Sequence, residues 1–214
     1  RFYGGKIFYE ASVGGAVPVL RTIKQHLGNE PIEKIRGIVN GSCNYILSSM
    51  EQKNQEFNVA LEIAQDLGFA ESDPSLDIDG WDSYYKSLIL ADTAFSDELN
   101  LTKVDWTGIR SITLKDVQEA KEANQKIKLI SEITQNEDGL SLTIAPEYID
   151  VSDPLYNIDW ETNAIAIYGK YSGVLTLQGP GAGGNPTAAA MVGDLFNAKE
   201  FRASQEIRLN ASIH

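Results

Sequence analysis

The nineteen residues from Gly68 to Lys86 carry five carboxylates and one lysine, and they run directly into the apolar segment 88–91. Carboxylates this close together repel one another, so they need either full solvation or a cationic ligand. The apolar segment that follows belongs in a core. The chain therefore passes from solvent to core within a few helical turns, and titrating groups at such a boundary often acquire shifted pKa values. This boundary is the first candidate for a functional site.

A helix is predicted over 80–95, because aspartates near its start complement the positive end of the helix dipole. Apolar residues recur along it at offsets of four, seven and eight, which is typical of a surface that faces a core. We expect this stripe to be buried, and it consists of Trp81, Tyr85, Leu88 and Ile89.

Asp82 and Lys86 lie four residues apart, on one face of the predicted helix and beside the apolar stripe. One interpretation is an exposed ion pair, which is usually worth well under ~1 kcal/mol and has no function. The other is a lysine at the edge of the core, partly desolvated and oriented by its neighbouring carboxylate. Such a lysine could donate and accept protons.

The loop before this helix supplies four more carboxylates, Glu71, Asp73, Asp77 and Asp79, with little basic compensation. A metal ion could be their ligand. However, the alternation of acids, central glycine and closing glutamate that is typical of a calcium loop is absent, so this interpretation is disfavoured.

Four segments together resemble the homoserine dehydrogenase family, in its catalytic, substrate-binding domain. They are FYEASVGGAVP at 8–18, IVNGSCNYIL at 38–47, the acidic segment from Glu71 to Lys86, and QGPGAGGNPT at 178–187. The resemblance implies an enzyme that interconverts L-aspartate 4-semialdehyde and L-homoserine, on the route to threonine, methionine and isoleucine, with NAD or NADP as cofactor.

The resemblance also implies roles for individual residues. Lys86 is expected to donate and accept the proton of the substrate's terminal oxygen, and Asp82 to orient Lys86. Glu71 and Asp77 are expected to hold the amino group of the substrate, which suits carboxylate acceptors. Gly183 is expected to approach the nicotinamide cofactor.

A monovalent cation site, for example for Na⁺, is implied at the glycine-rich segment near the start of the chain. Its ligands would be the Glu10 carboxylate and the main-chain carbonyls of Val13, Gly15 and Val17. Oxygen ligands suit a hard cation, and glycines allow the carbonyls to converge.

Gly41 and Ser42 lie in a turn between a predicted strand and a predicted helix. Ser42 or a neighbour can cap this helix, and its free N–H groups could instead receive the carboxylate of the substrate. Both interpretations stay open. Cys43 has no histidine motif around it, so we expect a buried, inert thiol rather than a nucleophile.

Two features depart from the family pattern. Phe69 stands where the family commonly carries tyrosine, so a hydroxyl contact is lost there. The chain also shows nothing that resembles the strand, GxGxxG turn and helix of a dinucleotide-binding module, since its only dense glycine runs are Gly14–Gly15 and Gly179–Gly184. We therefore expect the catalytic half of a longer enzyme, which binds cofactor mainly through the missing module and is inactive alone. The alternatives are a non-catalytic oligomerisation or regulatory module derived from such an enzyme, and another two-domain amino-acid oxidoreductase.

Composition limits the partners. A net charge of −12 disfavours nucleic acid, whose phosphates would be repelled. The longest apolar runs are too short to span a bilayer, and the single cysteine excludes a disulfide framework. We expect a cytoplasmic protein that binds a small amino-acid substrate, without nucleic-acid or membrane partners. The family resemblance implies a homodimer formed through the sheet.

The pattern of apolar residues predicts an α+β fold, with a mixed sheet covered by helices on at least one side. Strands are predicted at 6–11, 35–39, 126–133, 140–144, 164–168 and 174–177, with a hairpin turn at 136–139. Helices are predicted at 16–27, 45–50, 57–67, 80–95, 115–124 and 186–196. We expect one compact catalytic and dimerisation domain over 1–182 and a C-terminal helical segment over 183–214. In the family this helix returns to the nucleotide-binding half.

Overall fold

The computed structural model describes residues 6–95 and 99–211, with side chains as far as residue 203. The strands are β1 (Ile32–Ile38), β2 (Leu101–Trp106), β3 (Gln125–Asn136), β4 (Gly139–Asp150), β5 (Thr162–Gly169) and β6 (Gly173–Pro180). The helices are α1 (Val19–Arg21), α2 (Gly41–Lys53), α3 (Phe57–Asp66), α4 (Ser75–Ile78), α5 (Trp81–Ala94), α6 (Leu114–Glu122) and α7 (Gly184–Ala211). A 3-10 turn spans Glu10–Ser12, and a π-helical segment, Thr22–Leu27, continues α1.

The strands described form one sheet in the order β2-β4-β3-β1-β5-β6. Only β2 runs parallel to its neighbour; the other pairs are antiparallel. The β3–β4 hairpin closes at Asn136 and Gly139, where glycine takes a φ of 135°. The predicted α+β class, with a mixed sheet and helices packed on it, is confirmed.

The main core lies between the sheet and the helices α2 and α5. Ile35 in the centre of β1 has Ile133 and Ile167 as its cross-strand partners, and all three are at most 1% exposed. Branched side chains at these positions pack well against their neighbours on a pleated surface. This core therefore fixes the position at which β1 ends and α2 begins, and that junction carries the candidate site.

A smaller apolar cluster contains Ile38 and Ile130 of the sheet together with Leu155 and Ile158 of the connection between β4 and β5. Ion pairs hold this connection in place. Arg36 on β1 donates to its cross-strand partner Glu132 at 2.7 Å, and to Glu147 and Asp153 at 2.9 Å each.

Lys128 on β3 is buried, and its ammonium donates to Asp159 at 2.8 Å, to the carbonyl of Ile158 and to Asn44 on α2. Burial lowers the pKa of this lysine, and Asp159 opposes that effect. Lys128 contacts both the connection between β4 and β5 and the helix α2. It therefore links this connection to the helix that begins at the candidate site.

Two predictions near the start of the chain need correction. Residues 6–9 form no strand, because the polar groups of this segment bind helices instead of a neighbouring strand. The Glu10 N–H donates to Asp194 on α7 at 2.8 Å, and its carboxylate accepts the N–H groups of Leu20 and Arg21 at 2.9 Å each. The helix predicted from residue 16 begins only at Val19, with Pro18 as its N-cap residue.

The predicted buried stripe of α5 is also wrong, because Tyr85 is 53% exposed. The buried face instead contains Ser83, Ser87, Leu90 and Ala91. Ser87 can be buried because its hydroxyl donates to the Ser83 carbonyl at 2.7 Å. The Trp81 ring packs against Trp106 of β2, at 4.7 Å between centroids. The sequence did not predict β2, so the pattern did not indicate that these rings would cover an edge strand.

The C-terminal helix α7 is longer than predicted, and two of its apolar side chains, Met191 and Leu195, are 57% and 70% exposed. The expected boundary at 182/183 falls just before this helix. The division into two segments stays a prediction, and residues 1–5 and 212–214 lie outside the described chain. No helix among the described residues is long and apolar enough to cross a membrane.

Removing the carboxylate of Asp159 tests the role of the buried lysine. Asp159→Ala leaves Lys128 charged and buried without its anionic partner and also removes the partner of Lys126, which pairs with Asp159 at 2.8 Å. The variant should therefore lower the free energy of unfolding by about 3 kcal/mol. The exposed pair Lys103–Asp105 provides the control, and Asp105→Ala should change stability by less than about 0.5 kcal/mol. Equal losses in urea unfolding would show that the Lys128 ion pair does not anchor the connection.

Candidate functional site

The side chain of Asn40 organises the site. Asn40 follows β1 and is the N-cap residue of α2, where its Oδ1 accepts the Cys43 N–H at 2.8 Å. Its Nδ2 donates to Asp77 at 2.6 Å and to Asp82 at 2.8 Å. One buried amide therefore closes the first turn of α2 and brings together carboxylates from α4 and α5.

Lys86 projects from α5 into this network with its side chain 22% exposed, at the edge of the core as expected. Its ammonium contacts the same Asp82 oxygen that Asn40 binds, at 2.7 Å, and donates to the Val39 carbonyl at 3.0 Å. Asp82 and Lys86 are thus not an isolated surface pair. An ammonium has three donors, and the described residues engage two of them.

The carboxylates of the acidic segment differ in whether a neighbouring cation or N–H group stabilises their negative charge. Asp79 forms a bidentate pair with Arg110 at 2.7 and 2.8 Å, which lowers its pKa. Asp73 accepts the N–H of Ser75 and also has a lowered pKa. Neither is placed as a metal ligand, and the described residues contain no group of three or more acidic, histidine or cysteine side chains that could hold a metal ion.

Asp77 and Glu71, like Asp73, form no ion pair among the described residues. Burial raises the pKa of Asp77, the charge of Asp82 raises it further, and the neutral amide of Asn40 compensates only in part. The Glu71 carboxylate has no hydrogen-bond or ion-pair partner among the described residues. Two uncompensated carboxylates in one cavity attract a cation.

Two adjoining cavities lie around these groups. The acidic cavity, of about 400 Å³, is lined by Ser42, Gly68, Phe69, Ala70, Glu71, Asp73, Leu76, Asp77, Asp82 and Tyr85. The lysine cavity, of about 280 Å³, is lined by Asn40, Gly41, Ser42, Gly68, Phe69, Asp77, Asp82, Lys86, Glu161, Gly181, Ala182 and Gly183. They share Asp77 and Asp82, so one small molecule could reach both the free carboxylates and the lysine.

The first turn of α2 forms part of the shared wall. Gly41 and Ser42 precede the first intrahelical hydrogen bonds, so their N–H groups have no partner within the helix. The Ser42 hydroxyl does not cap α2, because it donates to the carbonyl of Phe69. Cys43 is buried, which together with Asp77 raises the pKa of its thiol well above the usual value. This agrees with the expected inert thiol.

The Gly181–Gly183 loop forms the opposite wall of the lysine cavity and leads into α7. Gly183 adopts a φ of 108°, and a Cβ on Gly184 would meet nothing within 4 Å. At Gly183 and Gly184 the main chain is therefore open to close approach by a ligand, whereas Gly181 is packed against Asn163. Pro180, just before the loop, accepts the N–H of Ala16, which joins the loop to the turn at Gly14 and Gly15.

That turn contains the expected cation ligands. Gly14 and Gly15 have φ values of 75° and 57°, as a tight reversal of the chain requires. The Glu10 carboxylate is 6% exposed, and burial raises its pKa. Each of its oxygens already accepts one N–H at the start of α1, so a cation would have to share Glu10 with the helix end.

Comparison with known proteins shows the family of the chain. A sequence model described as homoserine dehydrogenase matches residues 18–196. The chain belongs to the homoserine dehydrogenase family. The enzyme named homoserine dehydrogenase from Bacillus subtilis (strain 168) is 38% identical over 192 residues, which are 90% of this chain and 44% of that protein. The one from Synechocystis sp. is 37% identical over 91% of this chain and 46% of its own length.

Solved structures show the same fold. A homoserine dehydrogenase from Thiobacillus denitrificans superposes with a TM-score of 0.87 at 35% identity, over 92% of this chain and 46% of that one. A hyperthermophilic archaeal homoserine dehydrogenase in complex with NADPH has a TM-score of 0.76 at 29% identity. The match covers 90% of this chain and 55% of that one. The chain thus spans about half the length of the homoserine dehydrogenases it matches.

The structure brings the predicted site residues Asp77, Asp82 and Lys86 together, and it adds Asn40, which the sequence did not indicate as their organiser. The sequence also did not indicate Glu161 on the cavity wall. The N-cap position of Asn40 could have been predicted from the turn. Its second role depends on how α4 and α5 pack on α2, which no local pattern encodes.

The raised pKa of Asp77 has a consequence for stability. Because the folded state disfavours ionised Asp77, this group makes the protein less stable as pH rises from the usual pKa of aspartate through its raised value. Asp77→Asn keeps the acceptor for Asn40 and removes the charge. The free energy of unfolding of Asp77→Asn, measured with urea and taken relative to wild type, should therefore increase as pH rises through that interval. A difference that does not change with pH would contradict the burial of an ionised Asp77, and exposed Asp105→Asn is the control.

Proposed function

We propose that the chain forms the substrate-binding and catalytic half of an NAD(P)-dependent homoserine dehydrogenase. The reaction would interconvert L-aspartate 4-semialdehyde and L-homoserine, which leads to threonine, methionine and isoleucine. The observation that carries the proposal is the ammonium of Lys86, fixed by Asp82 and the Val39 carbonyl, with one donor left to face the cavity.

Lys86 would handle the proton. In the reduction of the aldehyde, Lys86 would donate a proton to the oxygen as negative charge develops there, and in the reverse direction the neutral amine would accept the hydroxyl proton. Asp82 would keep the lysine directed at that oxygen and stabilise its charged form. The nicotinamide cofactor, when bound, supplies or accepts the hydride.

Glu71 and Asp77 would hold the ammonium group of the substrate. Their lack of a direct cationic partner supports this role, since a bound ammonium would neutralise the repulsion between them. The carboxylate of the substrate could meet the free N–H groups of Gly41 and Ser42 at the positive end of α2. This placement agrees with the adjoining cavities, which both contain Ser42 and Asp77.

The cofactor, NAD or NADP, would approach the Gly181–Gly183 loop, and its open main chain fits a flat ring at close range. The structure with NADPH among the relatives supports this class of cofactor. For a monovalent cation such as Na⁺, we propose Glu10 and the carbonyls of Val13, Gly15 and Val17. The burial of the Glu10 carboxylate, which is 6% exposed, supports this site, because a bound cation would offset the cost of burying its charge.

We further propose that this half binds cofactor weakly and is inactive alone, and that the enzyme is a cytoplasmic homodimer. Exposed apolar side chains on and beside the sheet, including Tyr148, Tyr171 and Val174, support a contact with a second copy. The alternative of a non-catalytic module has less support. It offers no reason to retain the contacts among Asn40, Asp82 and Lys86.

Replacing the lysine tests the proposal. In the full-length gene product, Lys86→Ala should lower kcat about 10²- to 10⁴-fold with a modest change in KM for homoserine, because proton transfer is lost and binding is largely kept. The control is Lys115→Ala, which removes a lysine from another i,i+4 pair on a helix and should leave kcat unchanged. An unchanged kcat in Lys86→Ala would refute its role, and an inactive wild type would refute the proposed reaction.

A further inference from the structure

A buried amide lies on the far side of the carbonyl that holds Lys86. Asn163, on β5, is 1% exposed, and its Nδ2 donates to the Val39 carbonyl oxygen at 3.0 Å. The Lys86 ammonium donates to the same oxygen at 3.0 Å. A carbonyl oxygen has two lone pairs, and here one is taken by the lysine and the other by the amide.

The other end of this amide is unsatisfied. Asn163 Oδ1 is buried without a hydrogen-bond partner among the described residues. A buried acceptor without a partner destabilises a fold, so an apolar residue of similar shape would be the better choice for stability alone. Buried polar groups without a hydrogen-bond partner occur preferentially at functional sites.

The amide also supports the wall of the lysine cavity. A Cβ added to Gly181 would lie between 2.1 and 2.4 Å from the amide atoms of Asn163. The main chain of the Gly181–Gly183 loop thus rests directly on this side chain. Asn163 is in contact with both the carbonyl that holds Lys86 and the loop on the opposite wall.

We infer that Asn163 is a positioning residue, whose amide fixes the Val39 carbonyl and thereby the ammonium of Lys86. The same amide sets the distance between Lys86 and the Gly181–Gly183 loop. For its effect on turnover, this inference rests on the proposed dehydrogenase function. Its structural part, the sharing of one carbonyl by Asn163 and Lys86, does not.

Asn44 offers a matched comparison. It is also 1% exposed, and it also donates to main-chain carbonyls, those of Ile158 and Thr162 at 3.1 Å each. None of its partners accepts a hydrogen bond from Lys86. Asn44 Oδ1 also accepts a hydrogen bond from the buried Lys128 at 3.0 Å. Truncation of Asn44 should therefore destabilise the fold at least as much as truncation of Asn163, without the specific effect on Lys86.

The first experiment separates turnover from binding in the full-length gene product. Asn163→Ala should lower kcat for homoserine oxidation about tenfold and change KM less than threefold, since the lysine is displaced while the carboxylates remain. Asn163→Leu keeps the branched shape and should give the same result if the alanine variant does not fold. Asn44→Ala should keep kcat within twofold. Equal losses of kcat for Asn163 and Asn44 variants would overturn the inference.

The second experiment needs no activity. Asn163→Leu and Lys86→Met each remove one donor from the buried Val39 carbonyl, and the double variant leaves it without either side-chain donor. The loss of Tm in the double variant should therefore exceed the sum of the single losses, whereas Asn44→Ala and Lys86→Met should simply add. Additive losses for Asn163 and Lys86 would overturn the inference. If the wild type proves inactive but the losses are not additive, the proposed reaction fails and the structural part stands.

Discussion

The position of one ammonium group depends on the point where β1 ends and α2 begins. The Val39 carbonyl accepts a hydrogen bond from Lys86, and the next residue, Asn40, binds the carboxylate that pairs with that lysine. Two consecutive residues of the turn therefore hold both ends of the Asp82–Lys86 pair. The lysine is thus oriented by a turn that the buried core around β1 holds in place.

The electrostatics of the acidic segment follow from which carboxylates are compensated. Arg110 neutralises Asp79 and Lys86 neutralises Asp82, while Glu71, Asp73 and Asp77 form no ion pair among the described residues and line the same cavity. The fold thereby concentrates negative charge where an ammonium could bind and removes it elsewhere. Such an arrangement destabilises the empty protein slightly, and a substrate with a positive group would relieve it.

Local patterns predicted those parts of the structure that depend on neighbours in sequence. The i,i+4 spacing of Asp82 and Lys86, the hairpin at Gly139 and the helix end at Gly68 all follow from local geometry, and each is present. The predictions that failed required knowledge of a partner distant in sequence. Glu10 binds Asp194 of α7 instead of a neighbouring strand, and Trp81 of α5 packs on Trp106 of β2, a strand that the sequence did not predict.

A crystal structure of the full-length gene product with L-homoserine tests the central claim most directly. The account predicts the hydroxyl oxygen of the substrate within about 3 Å of Lys86 Nζ, and its ammonium nitrogen between Glu71 and Asp77. A substrate bound with its hydroxyl directed away from Lys86, while the lysine stays closed on Asp82, would contradict the account.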